Sequence, residues 1–404
     1  MAATSASTSM PPNPDGSSNR NGTRRRPRRH PGRGHCALRL GLLITLIGMA
    51  GCLIISSVTR GGFSTLHFHL RQALWLLVAL ATLATVFALP RQTLLRLAAV
   101  AGALAYMALL GVLFFGVRIN GMRGWYRAGT FCMQPSELAK PFFILGFAWL
   151  IARRTPARPC WRHFALALTY ALLWMFPIML QPDWGTTLIY GLTALVLLYA
   201  CGIGWQQVAV LAGAGGVGLV AVCLRYNYVY ERVLAFLGLG SPEVSARVGW
   251  QAMQMRNCFI KGGWTGTLFA DHDAALLLVP FRYNDSLFAC TAELLGVFGV
   301  LPLVTLCFGW LAYCCYRAQR SHSVFAYAMY IGAGFMLSGQ AFIHLAVNLG
   351  LMPTTGITLP LLSYGGSSLL ASVIILTMVE RLACEEDPAA SRNVIPPPSA
   401  KPAP

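Results

Sequence analysis

Acidic side chains are scarce in this chain. Only 13 Asp and Glu stand against 31 Lys and Arg in 404 residues, and charged residues of both signs make up 11%. An ordinary soluble domain carries about twice that charged fraction, so the deficit excludes a water-soluble globule. The 12 cysteines show no metal-ligand spacing, and the adjacent pair Cys314-Cys315 is too tight for a normal bridge. They read as small apolar core residues. No stretch reads convincingly as a cleavable secretory signal. The first apolar run follows a long polar tail and is long enough to span a bilayer, so it reads as an uncleaved anchor. No internal repeat is evident.

What the chain has in place of charge is apolar runs of about 17 to 30 residues, each suited to a membrane-spanning helix. They fall near 37–57, 72–89, 94–117, 135–151, 163–180, 185–201, 206–224, 286–316, 322–347 and 367–382. The expectation is an all-α polytopic membrane protein of about ten transmembrane helices. The fifth and sixth are separated only by Gln181-Pro182-Asp183.

A net charge of +18 raises the question of nucleic acid, but the placement of the bases answers it. Eight Arg lie between Arg20 and Arg39, and Arg91, Arg96, Arg153, Arg154, Arg158, Arg162, Arg317 and Arg320 flank helix ends. With ten spans these all fall on the side of the tail. The positive-inside rule then puts both termini in the cytoplasm, with a multi-pass body in the cytoplasmic (inner) membrane and no role in nucleic-acid binding. Residues 1–35 and 385–404 read as disordered tails, poor in groups able to build a core. The Arg cluster at 24–29 suits topology and anionic head groups. Residues 36–384 form one membrane domain, and 225–284 is a large outer loop between helices 7 and 8, mixing aromatics with bases such as Arg232 and Arg247.

A carboxylate near hydrocarbon is costly and usually has a partner or a task. Four acids qualify. Asp285 stands where the eighth helix begins, so it is either a helix cap or a general base kept ionised by the helix N-terminus. Glu293, eight residues on, reads as a structural ion-pair member. Glu137 and Lys140 are i,i+3 on the fourth helix. Either they neutralise each other, or Glu137 aims Lys140 at a phosphate. Asp183 lies at a helix break, where irregular backbone has to be buried in protein or line a wet cavity. Arg123 and Trp125, in Asn120-Gly121-Met122-Arg123-Gly124-Trp125, suit a lipid head-group contact or a plain interface anchor. Ser363 and Ser367 belong to Ser363-Tyr364-Gly365-Gly366-Ser367-Ser368, where glycines and helix-start N–H groups can hold an anion.

In this order along the chain, the segments 120–125, 134–140, 181–186, 284–293 and 353–368 resemble the SEDS family (shape, elongation, division, sporulation), whose members include FtsW, RodA and SpoVE. The resemblance is closer to FtsW through Pro353-Thr354 and Thr358-Leu359-Pro360. It implies a ten-helix peptidoglycan glycosyltransferase that polymerises lipid II and works with a class B penicillin-binding protein, a transpeptidase, and with divisome proteins. The family's essential Asp falls on Asp285, its Trp on Trp125, and its Glu–Lys pair on Glu137 and Lys140. Three positions depart from the family pattern. Tyr283-Asn284 stands for His-Thr, Leu294 for a second Glu, and Phe281 for an acid.

The chemistry so implied is a single inverting displacement. Asp285 takes the proton of a GlcNAc 4-hydroxyl, and undecaprenyl diphosphate leaves. Arg123, Lys140 or Arg247 would stabilise its charge, and a divalent cation, Mg or Mn, is the alternative. A flippase of lipid-linked precursor, a RodA-like elongation role and a scaffold without chemistry are the competing readings.

Overall fold

The computed structural model describes residues 32–58, 65–119, 121–129, 131–154, 161–200, 202, 204–244, 249–268 and 279–386. The helices in chain order are α1 (Gly32–Val58), α2 (Thr65–Ala88), α3 (Arg91–Phe115), α4 (Pro135–Arg154), α5 (Trp161–Leu180), α6 (Trp184–Ala200), α7 (Trp205–Arg225), α8 (Asn227–Leu237), α9 (Trp250–Gly262), α10 (Leu287–Gln319), α11 (Val324–Asn348) and α12 (Gly366–Glu386). Each of the ten expected spans coincides with one of them. Eight are long and apolar enough to cross a membrane: α1, α2, α3, α5, α7, α10, α11 and α12. The other two differ for identifiable reasons. Helix α6 has only 17 residues, and α4 carries Glu137, Lys140, Arg153 and Arg154. The helical body also runs past the expected limits at both ends, from Gly32 to Glu386.

Helix α11 forms the centre. Nearly all of it is buried, unlike α7, which buries none of its most apolar stretch. Small residues let neighbours approach closely, as membrane packing requires. A Cβ at Gly366 would collide with the Trp75 ring of α2. Between α4, α5 and α6 the rings of Phe143, Phe147, Tyr170, Trp174 and Tyr190 interlock, with Phe143 and Tyr190 centroids 4.8 Å apart. At the end of the bundle away from Asp285, Arg381 donates to the carbonyls of Val86, Phe87 and Leu89, satisfying the C-terminus of α2.

Three features depart from the sequence expectation. Between α3 and α4 the chain forms a small antiparallel sheet of β1 (Val117–Ile119), β2 (Met122–Ala128) and β3 (Phe131–Met133), in the order β1-β2-β3. Val117 pairs with Trp125 and Tyr126 with Met133. Second, the expected loop 225–284 contains α8 and α9. Third, α10 is broken at Gly296, whose φ of 68° and ψ of −175° suit glycine. The chain after α9 repairs the break. Thr267 and Leu268 N–H donate to the carbonyls of Glu293 and Leu294, while Val297 and Phe298 N–H donate to Gly263 and Trp264. The polar groups freed at the kink are thereby satisfied within the protein.

Candidate active site

The turn preceding α10 holds Asp285. Phe281 sits there in left-handed backbone, φ 50°, a conformation costing a bulky residue about 1–3 kcal/mol. Its carbonyl accepts from Asn284 N–H (2.9 Å) and Ser286 N–H (3.3 Å). The facing loop, 349–365, also carries a left-handed bulky residue, Leu361 with φ 66°. The two segments are laced together. Tyr364 N–H donates to Tyr283 O at 2.9 Å. Ser363 Oγ donates to Asn284 O at 3.0 Å and accepts from Leu359 N–H. With its amide oriented to satisfy both ends, Asn284 donates to Tyr364 O at 2.7 Å. The Tyr283 and Tyr364 rings meet edge to face, centroids 5.8 Å apart. The departure Tyr283-Asn284 thus has a function of its own, which is to fasten the turn to the loop.

Asp285 itself is partly exposed. It does not cap α10. The cap position belongs to Ser286, whose hydroxyl turns away to Pro280 O, 2.9 Å. Nor does any hydrogen bond reach the Asp285 carboxylate among the described residues. Gly356 faces it, so that a Cβ there would lie 3.7 Å from Oδ2. Burial pushes the Asp285 carboxyl up from 3.8 to about 6, and the Arg232 charge pulls it down. The helix N-terminus does not keep this carboxyl ionised as expected: among the described residues no N–H of α10 bonds it, and desolvation dominates. Arg232, on α8, donates to Thr354 O at 2.7 Å and so ties the outer loop to the same segment.

A second polar centre lies deeper. Lys140 is buried and paired with Glu137, and its ammonium also donates to Gln340 Oε1 of α11 at 2.7 Å. The Gln340 amide donates to Thr358 O and Ser368 Oγ. Ser367 Oγ accepts from Gln134 N–H, and Gln134 Nε2 donates to Asp183 Oδ2 at 2.9 Å. Asp183 in turn accepts from Thr186 N–H, capping α6. Here the arrangement is the one of mutual neutralisation, with Asp183 as a helix cap. A polar stripe on α11 links the two centres: Gln340, His344 and Asn348 share one face at successive turns. His344 Nδ1 bonds Ile357 O at 2.7 Å.

The remaining candidates lie apart. Arg123 Nη1 donates to Leu113 O, at the C-terminus of α3, so it serves as a helix cap. Trp125 is half-buried on β2. Glu293 forms no ion pair among the described residues. Its carboxyl meets the Cys258 thiol of α9 instead; α9 carries Arg256 and Lys261, but it turns a cysteine towards Glu293. Arg247 lies outside the described residues. The reading from sequence missed the placement of Arg232 and the role of the α11 stripe. The stripe was detectable as polar residues four apart on an otherwise apolar helix.

Residues 35–387 match the profile of the FtsW/RodA/SpoVE family, described as cell cycle proteins. The chain belongs to this family. Curated relatives include a probable peptidoglycan glycosyltransferase FtsW of Saccharophagus degradans, 31% identical over 328 residues, 80% of this chain and 84% of that one. The corresponding protein of Thioalkalivibrio sulfidiphilus is 32% identical over 373 residues, 87% and 91% of the two chains. Among solved structures, a chain of a peptidoglycan synthase complex that coordinates polymerization and crosslinking is 28% identical with a TM-score of 0.73, covering 86% of this chain and 98% of that one. The Thermus thermophilus rod shape determining protein RodA is 27% identical with a TM-score of 0.62, covering 86% and 96%. For a member of the FtsW/RodA/SpoVE family, the polytopic helical fold and the ordered segments 120–368 are thereby accounted for.

Proposed function

We propose that the chain is a peptidoglycan glycosyltransferase that polymerises lipid II at the outer face of the cytoplasmic membrane. The observation that carries this is Asp285, a partly exposed carboxylate free of hydrogen bonds among the described residues and with its pKa brought towards neutrality. A general base works best when its pKa lies near the operating pH. Asp285 accepts the proton of the acceptor's GlcNAc 4-hydroxyl. The oxygen forms a bond to the anomeric carbon of the lipid-linked strand, the bond from that carbon to the diphosphate oxygen breaks, and the configuration inverts. Undecaprenyl diphosphate departs with the electron pair, and the proton stays on Asp285 until exchange with water. A diphosphate leaves readily, so no acid partner is needed.

The leaving charge calls for cations. Arg232 is the base whose charge acts on Asp285, while Lys140 lies deeper with Glu137 and Gln340. Among the described residues no three His, Cys, Asp or Glu side chains are grouped to hold a metal ion. A Mg or Mn ion at this site would therefore need oxygens of the diphosphate among its ligands, beside a carboxylate such as Asp285. The names of the curated relatives support the division role. The solved synthase complex supports a crosslinking partner; the family resemblance makes it a transpeptidase of the class B penicillin-binding type, acting with divisome proteins. The positive-inside asymmetry supports cytoplasmic termini, with Asp285 outside.

The test is purified full-length protein incubated with lipid II, with and without a candidate transpeptidase, and read for glycan strands. Strands that form with wild type and vanish with Asp285→Asn support the reading. Movement of lipid II across a vesicle bilayer without any polymer would replace it with a flippase.

A further inference from the structure

Asn348 ends α11 and is 1% exposed. Two of its three hydrogen bonds go to Asp285 and to the helix start that follows it, and the third returns to its own helix. Oδ1 accepts from Ala289 N–H at 3.1 Å, while Nδ2 donates to Asp285 O and to His344 O, both at 2.8 Å. Ala289 N–H is one of the orphan donors of the first turn of α10, which Ser286 leaves uncapped. An amide from a different helix therefore takes the place of a local cap, and the same amide grips the carbonyl of Asp285. On its other side the turn is fastened by Ser363 and Tyr364.

We propose that Asn348 is the positioning residue of the general base: by holding the Asp285 carbonyl and the Ala289 N–H in one amide, it fixes where the Asp285 carboxylate points relative to the acceptor hydroxyl. This rests on the reading of Asp285 as the base. The backbone of Asp285 is clamped between α11 and the 359–364 segment, which leaves only side-chain torsions to be set by substrate. Losing one side of the clamp frees the turn to shift, and a misplacement of about 1 Å costs about 100-fold in rate.

The experiment compares wild type, Asn348→Ala, Asn348→Leu and Asp285→Asn as full-length proteins in lipid II polymerisation. It measures kcat, KM, melting temperature and the stoichiometry of lipid II binding. Asn348→Ala is expected to lower kcat about 10–100-fold, with KM and binding stoichiometry unchanged. If Asn348→Ala does not fold, Asn348→Leu decides, because it keeps about the volume yet can neither donate to Asp285 O nor accept from Ala289 N–H. The same kcat loss with full binding is expected of it. A kcat within about threefold of wild type in the variant that folds overturns the proposal, and so does a loss matched by lost binding sites, which marks a merely structural residue. Full activity of Asp285→Asn would instead overturn the base assignment, whatever the Asn348 variants do.

Discussion

Replacing Asp285 with Asn should separate activity from stability in opposite directions. A carboxyl whose pKa rises from 3.8 to about 6 on folding makes ionisation cost the folded state up to about 3 kcal/mol, at 1.36 kcal/mol for each tenfold change. The sign follows from proton counts. Between pH 3.8 and about 6 the folded chain holds the proton that the unfolded chain has released, so stability falls as pH rises through that window and stays lower above it. Asn has the same shape and no charge, so Asp285→Asn should melt higher than wild type at pH 7.5, with the gain gone at pH 4. Loss of the base should meanwhile lower polymerisation about 10²–10⁴-fold, or about 2.7–5.4 kcal/mol of transition-state stabilisation. Differential scanning fluorimetry at the two pH values and a lipid II assay on the same preparation check both halves. Normal polymerisation would show that Asp285 is not the base, and a lower melting point than wild type at pH 7.5 would show that its ionised carboxylate is not strained by burial.

Further consequences can be checked separately. The rate should fall on the acid side with a midpoint near pH 6, where Asp285 becomes protonated, as measured by kcat/KM against pH. Arg232 lowers that pKa, so Arg232→Gln should move the midpoint to higher pH, and Arg232→Lys should move it less; an unmoved limb would show that Arg232 does not act on Asp285. Lys140→Met strands the Glu137 carboxylate in the core and should destabilise by about 3–5 kcal/mol. Adding Glu137→Gln should recover much of this in chemical denaturation, since a neutral pair needs no counter-charge. Gly366→Ala should lower melting temperature, because its methyl collides with the rigid Trp75 ring. A melting point equal to wild type would show that α2 yields.

The helices were legible because hydrocarbon imposes a length and composition on anything that crosses it. That rule says nothing about short amphipathic pieces. Strands β1 and β3 have three residues each, too few to show alternation, although Asn120-Gly121 is a hairpin signal in its own right. Helices α8 and α9 were hidden because aromatics and bases are mixed along them without an apolar stripe long enough to span. The break at Gly296 left no mark in a run that is apolar on both sides, since its hydrogen bonds are restored by a segment 30 residues earlier in sequence.

Asp285 stood out because acids are scarce, and its neighbourhood did not. Asn348 reaches it from 63 residues away, and the loop that Arg232 grips is 122 residues from that arginine. Such pairings are set by how α11 and the 349–365 loop fold back, not by local spacing. The same limit applies to Glu293, whose depth in the bundle suggested a cation but whose neighbour is a cysteine.

The most direct measurement is a structure of the full-length protein with a lipid II analogue bound as acceptor, its anomeric diphosphate replaced by a linkage that cannot leave, so that no reaction ensues. With Asp285 as the base, the GlcNAc 4-hydroxyl lies within about 3 Å of one of its carboxylate oxygens, the reach that this role requires. A 4-hydroxyl seated out of reach of Asp285, with the Thr354–Gly356 segment still screening the carboxylate, would contradict it.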